Sequence, residues 1–395
     1  MNKRTIEDLD LTGKRVFIRV DFNVPLNEDG TIRKDTRIRG ALPTIQHAVE
    51  QGGKVILASH LGRPKNGPEE KFSLKPCAAR LAELLGKPVA MAPDCVGPEV
   101  EAMVAAMNNG DVLLLENVRF HKGETKNDPE LSKQFAKLAD VHVNDAFGTA
   151  HRAHCSNVGV TEFVRPAVAG KLLAAEMDYF NKALGAPERP VCAILGGAKV
   201  SGKINVIEAL LDKVDTVLIG GGMAFTFFKA MGYEIGASLV EDEMIDIAKA
   251  AQAKAAEKGV KLLLPVDAVA ADAFKEDANT QIVSVQNIPA GWMGLDNGPK
   301  TTELYSEAVK SAKTIVWNGP MGVFEMPAFA KGTMDLAKVV AESDALSVIG
   351  GGDTDAAIQQ AGYADQVSYI STGGGAFLEL MEGKTLPGLA SLDDK

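Results

Sequence analysis

One phrase recurs along this chain: a short run of apolar residues, a polar or glycine-rich turn, then an amphipathic stretch of helical period. The runs fall at 16–20, 55–58, 112–115 and 141–143, and again at 191–195, 217–219, 262–264, 314–317, 346–349 and 367–370. Strands apolar on both sides and alternating with helices belong to parallel sheets buried between helical layers. The stretches between them carry the helical period. Leu42, Ile45 and Val49 share one face, and Gly52 with Gly53 ends that helix; Ile207, Leu210, Leu211 and Val214 form a second stripe.

The chain has 395 residues, beyond the roughly 250–300 at which single cores stop growing. Two domains follow, each a doubly wound, Rossmann-like α/β sheet. Leu173, Met177, Phe180 and Leu184 form a helical stripe that ends at Gly185, Pro187 and Pro190, which reads as a hinge helix. We therefore expect one domain over 1–170 and a second over 171–385 that includes the connecting helix.

Several classes are disfavoured by composition. The net charge of −10 repels nucleic acid and anionic membranes unless basic residues cluster locally. No apolar run approaches the ~20 residues of a membrane span, and residues 1–10 are too polar for a secretory signal. Cys77, Cys95, Cys155 and Cys192 are far apart and lack zinc-type spacing, so reduced, buried thiols and a cytoplasmic setting are expected.

In sheets of this kind, ligands bind outside the carboxyl ends of the strands. In the first half those ends carry Arg19-Val20-Asp21-Phe22-Asn23, Ser59-His60-Leu61-Gly62-Arg63-Pro64, Glu116-Asn117-Val118-Arg119-Phe120-His121 and His151-Arg152-Ala153-His154, with Arg37 following the first. The planar fork of arginine matches phosphate and carboxylate. Any one of these arginines alone would read as a surface ion-pair partner; four near successive strand ends predict a site for a small, highly charged anion. His60, close to Arg63, is expected to face the anion, whereas His47 on an amphipathic helix reads as structural. Asp21 fits such a pocket if the ligand also carries a hydroxyl, with Asn23 alongside.

In the second half the strand ends are glycine-rich: residues 196–203, then Gly220-Gly221-Gly222, Gly350-Gly351-Gly352-Asp353-Thr354 and Gly373-Gly374-Gly375. Glycines let backbone N–H groups approach phosphate oxygens, and a following helix start adds partial positive charge. A nucleotide phosphate site is the reading. The dinucleotide fingerprint lacks its third glycine, and the Walker A pattern ending at Gly202-Lys203 has Ile204 where a metal-binding hydroxyl is required.

These segments together resemble the phosphoglycerate kinase family over essentially the whole chain. Its markers here are Arg19 to Pro25, Ser59 to Pro64, Gly148 to His154, Gly196 to Lys203, Gly291-Trp292-Met293-Gly294-Leu295-Asp296, Trp317 to Glu325, Gly350 to Thr354 and Ser371 to Gly375. The resemblance implies that Asp21, Asn23, Arg37, His60, Arg63, Arg119 and Arg152 bind phosphoglycerate. It implies that Lys203, Glu325, Gly351, Gly352, Asp353 and Thr354 bind the nucleotide, with Glu325 on the ribose hydroxyls and Asp353 near a Mg²⁺–phosphate group. It also implies a monomer whose segment 386–395 returns to the first domain.

The reaction implied is transfer between 1,3-bisphosphoglycerate and ADP, or 3-phosphoglycerate and ATP in reverse. The reverse nucleophile is a carboxylate already ionised at neutral pH, so no general base is needed. Catalysis then rests on alignment and on charge against the transferring oxygens. Arg37, Lys203 and the N–H groups of Gly373, Gly374 and Gly375 are the candidates, with Mg²⁺ bridging the nucleotide phosphates. Hinge closure would align the substrates and expel water. The alternatives are a P-loop-type ATPase, disfavoured by Ile204, and a catalytically silent nucleotide-binding protein, disfavoured by Lys203, Asp353 and Arg37.

Overall fold

The computed structural model describes residues 2–65 and 67–395. The chain divides into two compact units, Met1–Asp178 with Thr385–Lys395, and Tyr179–Lys384. The division falls inside a helical run, Lys171–Phe180, which continues as a π-helical turn over Asn181–Gly185. None of the described helices is long and apolar enough to cross a membrane.

The first unit is built on β1 (Arg15–Arg19), β2 (Lys54–Ala58), β3 (Ala90–Met91), β4 (Val112–Leu114), β5 (Val141–Asn144) and β6 (Ala167–Ala169). All pairs are parallel, in the order β3-β4-β2-β1-β5-β6. Side chains alternate across the sheet, and both faces are buried. Val16 and Ile18 of β1 enter one core with Val55 and Leu57 of β2. Phe17 enters the opposite core with Ile56 and Leu113. The Thr36–Glu50 helix covers the first of these with Ile38, Ala41 and Ile45, as the Leu42–Ile45–Val49 period predicts.

From β1 the chain steps to β2 on one side and reaches β5 on the other. The crossovers therefore diverge between β1 and β5, and a crevice opens at that switch point beyond the strand ends. Sequence alone does not give this order.

The last segment packs into the same unit. Leu386 and Leu389 are fully buried, the Gly388 N–H donates to the Ala150 carbonyl at 2.8 Å, and the Asn144 amide donates to the Gly388 carbonyl at 3.1 Å.

The second unit contains β7 (Val191–Leu195), β8 (Thr216–Ile219), β9 (Glu234–Ile235), β10 (Lys261–Leu263), β11 (Asp267–Ala271), β12 (Thr280–Ser284), β13 (Asn287–Ile288), β14 (Met293–Asn297), β15 (Thr314–Asn318), β16 (Leu346–Gly350) and β17 (Tyr369–Ile370). Six of them form a parallel sheet, β10-β8-β7-β15-β16-β17, whose switch point lies between β7 and β15. One face packs Cys192, Ile194, Ile315, Trp317 and Ile349 beneath two helices, Pro299–Ser311 and Lys331–Ala341.

An antiparallel sheet, β12-β11-β14, is added to this unit, and the sequence reading does not contain it. Its strands read Asp-Ala-Val-Ala-Ala, Thr-Gln-Ile-Val-Ser and Met-Gly-Leu-Asp-Asn. They lack the bulky apolar run that marks a doubly buried strand. The expected strand at 367–370 is paired only at Tyr369–Ile370.

Truncating Leu389 tests how far the first unit depends on the returning segment. Leu389→Ala is expected to cost about 2–5 kcal/mol of unfolding free energy in urea melts. A change within about 0.5 kcal/mol, typical of surface substitutions, would contradict it.

Candidate functional site

In the first unit, the loops beyond β1, β2, β4 and β5 hold the expected polar residues, and a buried network holds those loops. Arg19, the last residue of β1, is 1% exposed. In register it stands between Ala58 of β2 and Asn144 of β5. Its Nε donates to the Ser156 hydroxyl at 2.8 Å, and that hydroxyl donates onward to the buried Glu124 carboxylate. Burial pulls the Arg19 guanidinium below its ordinary value, while Glu124 and Asp21 oppose the shift. The Glu124 carboxyl moves upward because it is buried, with Arg19 and Ser156 opposing. A buried cation and a buried carboxylate thus compensate each other through a shared hydroxyl.

Arg19 also sets the state of His60. Its Nη2 lies 3.1 Å from His60 Nδ1. Arginine can only donate, so Nδ1 accepts and the imidazole hydrogen sits on Nε2. Burial depresses the His60 pKa to about 3, and neighbouring arginines push the same way against Asp21. His60 is therefore a neutral ring at physiological pH.

Asp21 and Asn23 form the floor. Asp21 Oδ2 accepts from Arg37 Nη1 at 3.0 Å, and its Oδ1 accepts from the Asn23 N–H at 3.2 Å. Burial opposes ionisation of Asp21, but the positive charge of its neighbours (His60 when protonated, Arg37 and Arg19) outweighs it and holds the carboxyl below its usual value. The Asn23 carbonyl accepts from the Gly62 N–H at 2.8 Å, tying the β1 loop to the β2 loop. A side chain at Gly62, with φ +61°, would meet the Phe72 ring at 2.4 Å.

Arg119 closes the group on the β4 side. Its Nη1 donates to the Gly62 carbonyl at 2.8 Å, and its backbone N–H donates to Asn117 Oδ1 at 3.0 Å. Its buried Nε has no partner among the described residues. Burial lowers its pKa, and repulsion from Arg19 and Arg63 acts the same way, with Glu124 and Asp21 opposing. The structure thus concentrates guanidinium charge beyond what its own carboxylates neutralise. Arg63 and Arg152 are exposed and feel the same field: Arg63 bears on Arg119, and Arg152 bears on His154.

Sequence reasoning missed three structural supports here. Ser156 and Glu124 carry no motif signal of their own. The Asn117 amide, fully buried, donates to the Leu61 and Phe72 carbonyls at 2.7 and 3.0 Å. A buried asparagine between two loop carbonyls is invisible until the loops are in place.

In the second unit a cavity of about 510 Å³ is lined by Phe225, Phe228, Leu239, Met293, Leu295, Met321 and Val323, with Glu325 and Asp353 among its polar lining. Its walls come from the loops after β7, β8 and β15 and from β14. Here the glycines have two distinct jobs. A Cβ at Gly196 would sit 2.0 Å from the Pro320 carbonyl, and one at Gly221 (φ +69°) would sit 2.6 Å from the Gly197 carbonyl. These glycines let three loops stack backbone on backbone. Gly197, Gly352 and Gly374 face open space instead, where a ligand could approach the main chain.

The other expected residues are placed as follows. Lys203 caps the Ile204–Leu210 helix, and its ammonium donates to the Asn318 side chain at the end of β15. Burial pulls its pKa down to about 8, and Asp353 opposes the fall. Asp353 is exposed in the first turn of the Gly352–Ala361 helix, which Gly351 caps at φ +94°. Thr354 is buried, and its hydroxyl accepts from the Gly319 N–H at 2.7 Å, tying the start of its helix to the loop after β15. Gly373 is buried with its N–H on Ser371 Oγ at 3.2 Å, whereas Gly374 and Gly375 open the Gly375–Met381 helix. Met293, Leu295, Met321 and Val323 of the cavity wall lie inside the family markers at 291–296 and 317–325, whereas Phe225, Phe228 and Leu239 carry no motif signal.

Two doubly wound units, one crowded with guanidinium groups and one holding an apolar cavity with carboxylates in its lining, suit a phosphotransferase working on small anions. A family model for phosphoglycerate kinase matches residues 6–384. A phosphoglycerate kinase of Chloroherpeton thalassium is 59% identical over 397 residues, covering 100% of both chains. The structure of phosphoglycerate kinase from Coxiella burnetii is similar with a TM-score of 0.91 at 47% identity, covering 98% of each chain. That from Pyrococcus horikoshii gives 0.84 at 34% identity, again over 98% of each. The chain belongs to the phosphoglycerate kinase family. Its reaction is the reversible transfer of a phosphoryl group from 1,3-bisphosphoglycerate to ADP, giving 3-phosphoglycerate and ATP.

The buried imidazole makes a pH prediction. The unfolded chain binds a proton at His60 near 6.5, whereas the folded ring refuses it until about 3. Its contribution to stability is complete above about 6.5 and is lost as pH falls from there toward 3. In NMR the His60 ring signals should stay unshifted from pH 8 to about 4.5. A titration near 6.5 would show that the ring is not held by Arg19.

Proposed function

We propose that the first unit holds phosphoglycerate through Asp21, Asn23, Arg37, His60, Arg63, Arg119 and Arg152, and that the second holds the nucleotide through Lys203, Glu325, Gly351, Gly352, Asp353 and Thr354. The observation that carries the first half is the excess of guanidinium over carboxylate around Arg119, whose buried Nε is unpaired among the described residues. A multiply charged anion supplies the missing counter-charge. Asp21, already accepting from Arg37, suits the hydroxyl of the ligand better than its phosphate.

The second half rests on the cavity. An apolar chamber of about 510 Å³ suits a flat base, Glu325 in its lining suits ribose hydroxyls, and the open glycines suit phosphates. The exposed carboxylate of Asp353 fits Mg²⁺, which keeps most of its waters and binds protein through one or two carboxylates beside substrate phosphates. That ion would neutralise charge on the nucleotide phosphates. Lys203, which donates to the Asn318 side chain, would turn to the transferring group. Arg37 would stabilise its oxygens from the glycerate side, as would the N–H groups of Gly374 and Gly375 with Gly373 shaping the turn. The attacking carboxylate or ADP phosphate is already anionic, so no residue need remove a proton. In-line transfer on hinge closure completes the proposal, in a monomer acting in the cytoplasm, where four free buried thiols are at home.

A coupled assay with 3-phosphoglycerate and ATP tests the assignment. Lys203→Ala is expected to lower kcat by about 100-fold or more while the nucleotide KM changes little. In the parent enzyme kcat/KM should fall as pH rises through about 8, where free Lys203 loses its charge. Unchanged turnover in Lys203→Ala would remove this lysine from the mechanism.

A further inference from the structure

A second cluster of ligating side chains lies on the first unit, at the ends of β3 and β4 and outside the phosphoglycerate site proposed above. Asp94 and Cys95 follow β3, and His121 follows the short helical turn Val118–Phe120 beyond β4. Their side-chain donors all fall within 4.8 Å of one another, and no other such group of three occurs among the described residues. His121 Nε2 is 2.6 Å from Asp94 Oδ1. The Cys95 thiol is wholly buried and donates to the Glu116 carbonyl at 3.0 Å. The Asp94 and His121 side chains are 46% and 31% exposed, so the cluster is open to solvent on one side and closed on the other.

We propose that Asp94, Cys95 and His121 form a binding site for a thiophilic divalent transition ion of the Zn²⁺ or Co²⁺ type. One thiolate, one imidazole and one carboxylate are the donors such ions select, and they exclude Mg²⁺ and Ca²⁺, which require oxygen shells. Metal–ligand bonds of about 2.0–2.3 Å place the donors of a tetrahedral ion about 3.3–3.8 Å apart. The present donors all lie within 4.8 Å of one another, close to that spacing. The open side leaves the fourth position to water.

On binding, the Cys95 S–H bond breaks and its proton leaves to solvent, and the sulfur lone pair bonds to the ion. Imidazole binds through Nε2 and keeps its hydrogen on Nδ1. With Asp94 ionised, the two anionic donors cancel the charge of the ion, so a buried thiolate is never left uncompensated. Burial together with the Asp94 charge pushes the Cys95 thiol well above its ordinary value, so metal binding is what releases its proton. Because His121 lies two residues beyond Arg119, an occupied site would also brace the turn that carries that arginine.

The test is titration of the full-length, metal-stripped protein with Co²⁺, without added nucleotide and in excess Mg²⁺. One equivalent should bind, with a thiolate-to-cobalt charge-transfer band and visible bands of tetrahedral intensity, and Zn²⁺ should bleach both. Cys95→Ser should abolish the charge-transfer band. His121→Ala, which alters a half-exposed side chain and leaves the core intact, should weaken Co²⁺ binding at least ten-fold. Cys192→Ser should leave the spectrum unchanged. Absence of the band in the parent protein, its loss to Mg²⁺, or its survival at full affinity in His121→Ala would each overturn the site.

Discussion

Burial of both faces of two parallel sheets is the constraint on which the rest of this molecule depends. Alternate residues of β1 enter opposite cores, Val16 and Ile18 on one side and Phe17 on the other. Nothing reactive can be placed on such faces without a large desolvation cost. Chemistry is driven to the strand ends, where loops from adjacent parallel strands meet.

Holding those loops takes buried polar structure. In the first unit, Arg19, Ser156 and Glu124 form a chain of charge-assisted hydrogen bonds beneath the groups proposed to face the anion, and Asn117 stitches two loop carbonyls together. Arg19 also decides the tautomer of His60. In the second unit, glycines replace that polar scaffold, because the loops there touch main chain to main chain and leave no room for a Cβ at Gly196 or Gly221. The two scaffolds match their proposed ligands: fixed positive charge for a small compact anion, exposed backbone and apolar wall for a larger nucleotide.

Much of this was legible in the residues. The apolar runs located the strands of both large sheets, except the short β3 and β6, since Ala-Met and Ala-Val-Ala carry too little pattern. The arginine- and glycine-bearing turns marked the strand ends at which the ligands are proposed to bind. Less legible were the roles within each turn. Thr354, expected among the nucleotide-binding residues, also supports a loop through the Gly319 N–H, and Gly196 and Gly221 lie where a Cβ would strike the main chain of a neighbouring loop. Such distinctions depend on which neighbour lies a few ångströms away, often from a segment more than a hundred residues distant.

The sequence by itself determined the layered α/β class, the twofold division of the chain, and the cationic residues at one set of strand ends and the glycines at the other, because periodicity and residue type are local properties. Tertiary structure decided the strand order, and with it the switch points between β1 and β5 and between β7 and β15. It also decided that Arg19 is interior, that Lys203 is drawn toward a pKa of about 8, and that Asp94, Cys95 and His121 share one corner. Those outcomes arise from desolvation and through-space charge, which act between residues that the chain order keeps apart.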